Sequence, residues 1–324
     1  MNPRAEGLRS FVRGAYDMQK LRIAEGNRLA ANFYSKLGIK PGESVENAEK
    51  EDGAFAKDAA AKKVLNIIKK EYELLSEGIA TGITKKKFEK LQTGTVISTF
   101  TEYCLVNGWI TLMAEEKKHF ARLESLLEDF PIWTEYLADV RGCGPATAGV
   151  IVSEIDIHKA KHASNLWKYA GLDVAPDGYG RSKRSEHLIK TKYTDSKGEE
   201  HEKSSITYSP FLKTKLMGVL AGSFLKSGNE RYRAVYDGYK NRMENHAKWG
   251  IEAENNWTGG ADDWRDRPSK IRRHNQSLRY MMKIFLLDLY VKWRELEGLE
   301  VSKPYSEAKL GMPPHGNIII EQEG

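Results

Sequence analysis

Residues 137–155 read Leu-Ala-Asp-Val-Arg-Gly-Cys-Gly-Pro-Ala-Thr-Ala-Gly-Val-Ile-Val-Ser-Glu-Ile, and this stretch decides the fold. Its pattern is a helix, a hairpin at Gly142-Cys143-Gly144 and a second helix opening at Pro145. Glycine reaches positive φ and carries no Cβ, so both glycines suit a tight turn and a close approach to another surface. Proline fits the first helical position, where its missing N–H would have had no partner. Ala146, Thr147 and Ala148 are small and permit close helix packing. The N–H groups and positive dipole end of such a helix form a ready phosphate site. The pattern is that of a helix-hairpin-helix, a device that grips a nucleic-acid backbone without reading its sequence. A glycine-capped corner between helices would also produce Gly-x-Gly. The order apolar-Arg-Gly-x-Gly-Pro-x-x-Ala with an apolar run behind it favours nucleic-acid contact, through Arg141, Gly142, Gly144 and Thr147.

Working outward, the chain reads as mainly α, a helical bundle with one small inserted β-hairpin. Leu8, Phe11, Ala15 and Met18 keep one helical face, and Leu29, Phe33 and Leu37 resume it after Gly26. Gly38, Pro41 and Gly42 stop that helix, and residues 43–53 form an acidic connector. Further helical patterns occupy residues 54–78 and 84–113, and Phe120, Leu123, Leu127 and Phe130 lead into the hairpin. Sustained heptads are lacking, so a bundle is favoured over a coiled coil. Residues 186–210 read as sheet, with turn chemistry at Asp195-Ser196-Lys197-Gly198; this basic ribbon either lies along a groove or shields the fold. Residues 211–246 return to helix, 250–268 read as a loop, and Leu278, Met282, Phe285, Leu289, Trp293 and Leu296 mark a C-terminal helix. The expected division is a helical N-terminal region at 1–114, a helix-hairpin-helix domain at 115–300 and an irregular tail at 301–324.

After the hairpin and its helix comes a polar link, Asp156 to Ser164, then Leu166-Trp167-Lys168-Tyr169-Ala170-Gly171-Leu172, and later Ser205-Ile206-Thr207-Tyr208-Ser209-Pro210-Phe211-Leu212-Lys213-Thr214-Lys215-Leu216. This series resembles the C-terminal domain of insertion-sequence one-ten type transposases, whose better-known members are RNA-guided DNA recombinases. In that family the hairpin glycines precede a short helix ending in Ala-Gly-Leu, a loop with a nucleophilic serine, and an Ile-Thr-Lys stretch before a basic helix. The resemblance covers roughly residues 115–240, and more weakly the helix near 8–37. It departs at the serine loop, residues 173–185, at the insertion before Ser205, and at Lys213 and Lys215, which stand where arginines are usual. It departs also at the front: no apolar strand ending in a catalytic-looking aspartate appears in the first hundred residues, where the family carries a RuvC-like nuclease domain.

The resemblance implies a site as well as a fold. Ser182 and Ser185 lie among Arg181, Lys183 and Arg184 in the loop that matches the family's serine loop, and Ser182 is the better placed nucleophile. Such a serine needs a basic environment to lower its pKa and stabilise a phosphoryl transition state. A serine in a phosphate-contacting loop without chemistry is the alternative. Any Mg²⁺ chemistry then belongs to an acidic nuclease domain supplied by another chain. The implied partners are DNA, structured RNA and further copies of the chain.

Composition fits these expectations. The 324 residues carry a formal charge of +6 and a pI near 9.0, a balance that favours polyanions. Residues 265–283 hold seven Lys/Arg against Asp266, with Arg272 and Arg273 at the centre and Trp264 and Tyr280 flanking; they read either as a nucleic-acid contact or as a solvated helix face. Asp262, Asp263 and Asp266 read as helix caps or arginine partners rather than a Mg²⁺ site, and His158 and His162 as solvent- or phosphate-facing rather than metal ligands. Only Cys104 and Cys143 occur, which argues for a reducing compartment and inert thiols. No signal peptide and no long uncharged apolar run is present, so a cytoplasmic, nucleoid-associated protein with no membrane partner is expected. Two functions remain open: a transposase or recombinase using Ser182, and a non-catalytic module repurposed to bind DNA or RNA.

Overall fold

A computed structural model describes residues 3–38, 59–76, 82–91, 96–260 and 265–303. The acidic connector, Asp262, Asp263, Trp264 and the tail from Pro304 lie outside the described residues. The chain divides into two compact units, residues 2–126 and 127–324.

In the first unit, α1 (Pro3–Phe33) runs without interruption through Gly26, so the apolar face that resumes after that glycine belongs to one helix. Leu8, Val12, Ala15, Leu29, Ala30 and Phe33 are all buried along it, so one continuous apolar stripe outweighs the propensity cost of a single glycine. The unit also contains α2 (Ala59–Ser76), α3 (Lys85–Lys90) and most of α4 (Phe100–Leu127). Phe11 stacks on His119 and Tyr16 meets the edge of Phe120, which ties α1 to α4. Around Phe33, Val64, Ile68, Phe88, Ile97, Tyr103 and Val106 a buried apolar cluster joins the four helices. The Glu71 carboxylate accepts the N–H groups of Val96 and Ile97, each at 3.1 Å, where the chain re-enters before α4.

In the second unit, the one-turn α5 (Pro131–Thr134) and a 3₁₀ turn (Leu137–Asp139) precede α6 (Pro145–Glu154). A full helix was expected ahead of the hairpin. Tyr136, at φ −151° and ψ −63°, leaves the helical region and divides that segment into two single turns. α7 (Ala163–Tyr169) follows, then the hairpin of β1 (Ile189–Thr194) and β2 (Glu200–Ser205), antiparallel with Ile189 opposite Ser205 and Thr194 opposite Glu200. The register closes on Asp195-Ser196-Lys197-Gly198, as the turn chemistry required. Lys190 pairs with Glu202 and Lys192 with Glu200 across the strands, so cross-strand carboxylates offset much of the ribbon's basic charge.

α8 (Pro210–Lys215), a π turn (Leu216–Leu220) and α9 (Ala221–Ser227) form one rod. The expected helix over 211–246 is broken by Gly228, left-handed at φ 69°, and by Asn229, whose side chain caps α10 (Glu230–Glu244) through the Tyr232 N–H at 3.1 Å. The stretch expected as loop holds the short α11 (Ile251–Asn255). α12 (Lys270–Leu296) starts at a Ser269 cap and is the spine of the unit, with Met281, Met282, Phe285, Leu289 and Tyr290 fully buried. Phe224, Tyr232 and Phe285 meet with ring centroids 4.5–5.6 Å apart, joining α9, α10 and α12. The chain is mainly α with one small β-hairpin, and no described helix is long and apolar enough to cross a membrane.

Candidate functional site

The hairpin of the opening motif is tight because Gly142 has φ 96°. A Cβ there would lie 2.7 Å from Ser227 Oγ and 3.1 Å from the Phe224 ring, so the close approach this glycine allows is to α9. Ser223 Oγ donates to the Gly142 carbonyl at 2.7 Å, and Asn229 Nδ2 donates to that of Arg141 at 2.8 Å. Gly144 differs from the expectation. Its φ of −77° is open to any residue, its position is exposed, and a Cβ would meet nothing within 4 Å. It serves as the N-cap of α6, with no side chain capping that end. Arg141 is exposed beside it, whereas Thr147 is only 6% exposed and faces the interior of the unit. Cys143 is buried, which raises its thiol pKa to about 12, in keeping with an inert cysteine.

Past α7, the chain forms the serine loop. A single bridge between Val174 and Gly180 closes it, and Arg181 ties it down through its N–H to the Asp173 carbonyl at 3.1 Å and its guanidinium to the Asp173 carboxylate at 2.7 Å. A 3₁₀ turn at Ser185–His187 then folds His187 back under the loop. His187 is 3% exposed. Its Nδ1 receives the Ser182 backbone N–H at 2.9 Å and lies 3.0 Å from Ser182 Oγ. Its Nε2 lies 2.9 Å from Asp177 Oδ2. A backbone N–H can only donate, so Nδ1 is an acceptor and Nε2 carries the proton, directed at Asp177. The 3.0 Å approach of Arg184 Nη2 to Nε2 then joins two donors, both of which converge on Asp177 Oδ2. Asp177 is held below the usual carboxylate range, first by the His187 hydrogen bond and then by the Tyr179 N–H.

The serine hydroxyl sits among donors. Arg184 Nε donates to Ser182 Oγ at 3.0 Å, and the Arg184 backbone N–H approaches at 3.4 Å. Lys183 is exposed next to it, and Ser185 turns away to the Glu186 carboxylate. From α8, Lys213 donates to the Arg181 carbonyl at 2.6 Å over the Tyr208 ring. Its pKa is lowered to about 8 by burial first and by the Arg279 charge second. From α12, Arg279 donates to the Gly171 carbonyl at 3.3 Å, and Lys283 lies over Trp167 with its pKa lowered by burial and by Arg279. Cations therefore repel one another around this loop. Of its carboxylates, Asp173 pairs with Arg181, Asp177 with Arg184 and His187, and Glu186 with Arg265. Lys215, two residues further on α8, lies over the Phe211 ring.

The basic run at 265–283 is placed otherwise. Arg273 is 4% exposed and donates to the carbonyls of Trp249 and Gly250 and to Glu254 at 2.6 Å. Arg272 stacks on Trp249 and donates to the carbonyls of Arg265 and Arg267. The structure thus brings together Arg181, Ser182, Lys183, Arg184 and Lys213, and turns Arg272 and Arg273 into carbonyls and Glu254 at the start of α12, a network that meets the loop through Tyr179–Asp266 and Glu186–Arg265. The sequence reading missed His187, Asp177, Arg279 and Lys283. Asp177-Gly178 reads as a turn, and a histidine five residues after a serine has no helical or strand periodicity to reveal it.

Among the described residues, one group offers metal-ligand atoms within 4.8 Å of one another: Asp195, Glu199 and His201 at the ribbon's turn. Asp195 already accepts the N–H groups of Lys197 and Glu199, each at 2.9 Å, and closes that turn. These residues are half-buried or exposed and close the turn, so the set does not fit an enclosed catalytic metal site.

Residues 134–194 match the sequence model of the transposase IS116/IS110/IS902 family, and the hairpin, α6 and the entire serine loop fall inside the matched segment. The match falls within the segment where the resemblance to these transposases was read. No curated protein and no solved structure matches the chain.

Proposed function

We propose that this chain binds DNA in transposition or recombination, holding the phosphate backbone at the serine loop, with Ser182 as the nucleophile. The observation that carries the proposal is the basic loop around Ser182: Arg184 donates to its Oγ, Arg181 and the exposed Lys183 flank it within the segment that matches the transposase model, and Lys213 of α8, outside that segment, donates to the Arg181 carbonyl. Phosphodiesters are the polyanions that such a cluster, poor in unpaired carboxylates, would neutralise. Arg141 and the uncapped start of α6 at Gly144 extend the same backbone contact, with Gly142 and Thr147 shaping that end from within, and Lys215 continues it along α8. Arg272 and Arg273 support the surface by fixing the start of α12. An acidic nuclease domain on another chain would supply Mg²⁺-dependent cutting, and assembly of several copies would bring strands together. Structured RNA is the second polyanion in this reading.

The test is a binding titration of the purified chain against duplex DNA, four-way-junction DNA and structured RNA at low and physiological salt. Tight, salt-sensitive binding is the expected result, with preference for the junction marking a recombination role and preference for RNA a guided one. Absence of binding to all three would overturn the proposal.

A further inference from the structure

We propose that Ser182, His187 and Asp177 form a proton relay that activates the Ser182 hydroxyl for attack on a phosphodiester, with His187 as the catalytic base and Asp177 as its positioning residue. The inference rests on the reading of Ser182 as the nucleophile and adds the group that takes its proton.

Three features of the geometry lead there. The tautomer is fixed, because the Ser182 N–H can only donate to Nδ1 and Asp177 faces Nε2; the single Nδ1 lone pair is shared between that N–H and the serine hydroxyl, and taking up the hydroxyl proton displaces the N–H from it. The hydroxyl orientation is fixed as well. Ser182 Oγ receives Arg184 Nε and the Arg184 N–H, so its own proton is directed to Nδ1 at 3.0 Å. Finally, His187 is 3% exposed and held on both ring nitrogens, so bulk water does not compete for the relay and the imidazole cannot rotate away. Nucleophile, base and orienting carboxylate in hydrogen-bond sequence is the general arrangement of an activated serine, recognised by geometry rather than by order in the chain.

The step balances as a transesterification. Ser182 Oγ forms a bond to phosphorus, its proton passes to His187 Nδ1, and one bridging P–O bond breaks. The departing deoxyribose oxygen takes the proton from His187, which returns to its neutral form. One phosphodiester is exchanged for another, so no oxidant, reductant or nucleotide is consumed and the reverse attack can rejoin a strand. Arg184 Nε, already on Ser182 Oγ, stabilises the developing negative charge, and the exposed Lys183 beside it is the cation left for the phosphate oxygens.

The experiment measures covalent labelling of the full chain by a fluorophosphonate, in which Ser182 displaces fluoride, located by peptide mass. Wild type is expected to label at Ser182 and Ser182→Ala not at all. His187→Gln should slow labelling by about 100-fold or more and Asp177→Asn by about 10-fold, in the range of general-base contributions. Because His187 is buried, the second readout is chemical rescue: free imidazole should restore labelling in His187→Gly, which a merely structural role would not produce. Duplex-DNA affinity is measured on the same His187 and Asp177 variants. Labelling that depends on His187 in a chain that binds no DNA leaves the relay standing and removes the proposed function. DNA binding with Ser182 unlabelled, or labelled equally fast in His187→Gln and Asp177→Asn, overturns the relay.

Discussion

Arg181, Lys183 and Arg184 in the serine loop and Arg272 and Arg273 in α12 are indistinguishable as charge in a sequence, and the fold treats the two groups in opposite ways. At α12 the guanidiniums donate into carbonyls of the preceding segment, from Trp249 to Arg267, and Arg273 adds a buried ion pair with Glu254. They fasten the polar entry to α12 onto its first turns. In the serine loop, Arg184 reaches a hydroxyl and Lys183 reaches solvent; beside it, Lys213 of α8 and Arg279 of α12 donate to the carbonyls of Arg181 and Gly171, and burial and the Arg279 charge lower the Lys213 pKa. A high local count of Lys and Arg therefore has two physical meanings. Where carbonyls of the chain itself consume the donors, as at Arg272, Arg273, Lys213 and Arg279, the count reports scaffold; at the exposed Lys183 and at Arg184, turned to a hydroxyl, carbonyls of the chain do not consume them.

Substitutions can break or sharpen that contrast. The largest effect on stability is expected for Arg273→Ala, which strips two carbonyls and Glu254 of their partner. A loss of about 2–3 kcal/mol in chemical denaturation is predicted, toward the low end for a buried pair because Glu254 is partly exposed. Gly142→Ala comes next: positive φ and contact with Ser227 and Phe224 predict about 2 kcal/mol, while Gly144→Ala should stay within about 0.5 kcal/mol in the same melts. In DNA titrations, Lys183→Glu should weaken binding about tenfold and reduce the salt slope by about one, with the melting midpoint unchanged. The smallest effect concerns pH. Lys213, with its pKa lowered to about 8, is charged below that value and neutral above it. Affinity should therefore fall about two- to threefold between pH 7 and 9, and Lys213→Arg, which stays charged, should abolish the fall.

Much of this molecule is legible in its sequence. The α12 stripe, the β-hairpin closing on Asp195 to Gly198 and the start of α6 at Pro145 each follow from local rules of period, turn and cap. The misreadings share a cause. Gly228 was read through as helix, although it takes a left-handed conformation that Gly26, inside α1, does not; a glycine letter does not declare its φ. Likewise, a helix was expected before the hairpin because Leu137, Val140 and Arg141 resemble one, yet Tyr136 turns the chain out of it. At the site, Ser182 and its cationic neighbours were legible through family resemblance. The pairing of His187 and Asp177 was not, because it depends on a loop that doubles back over ten residues and obeys no repeat.

The contrast between the two basic groups is tested most directly by titrating duplex DNA, at two salt concentrations, against wild type, Lys183→Glu and Arg272→Glu, each checked for an unchanged circular dichroism spectrum. A backbone interface at the serine loop requires that Lys183→Glu lose affinity and salt slope together while Arg272→Glu keeps the slope of wild type. A loss confined to Arg272→Glu, with Lys183→Glu unaffected, would contradict it and move the interface to the start of α12.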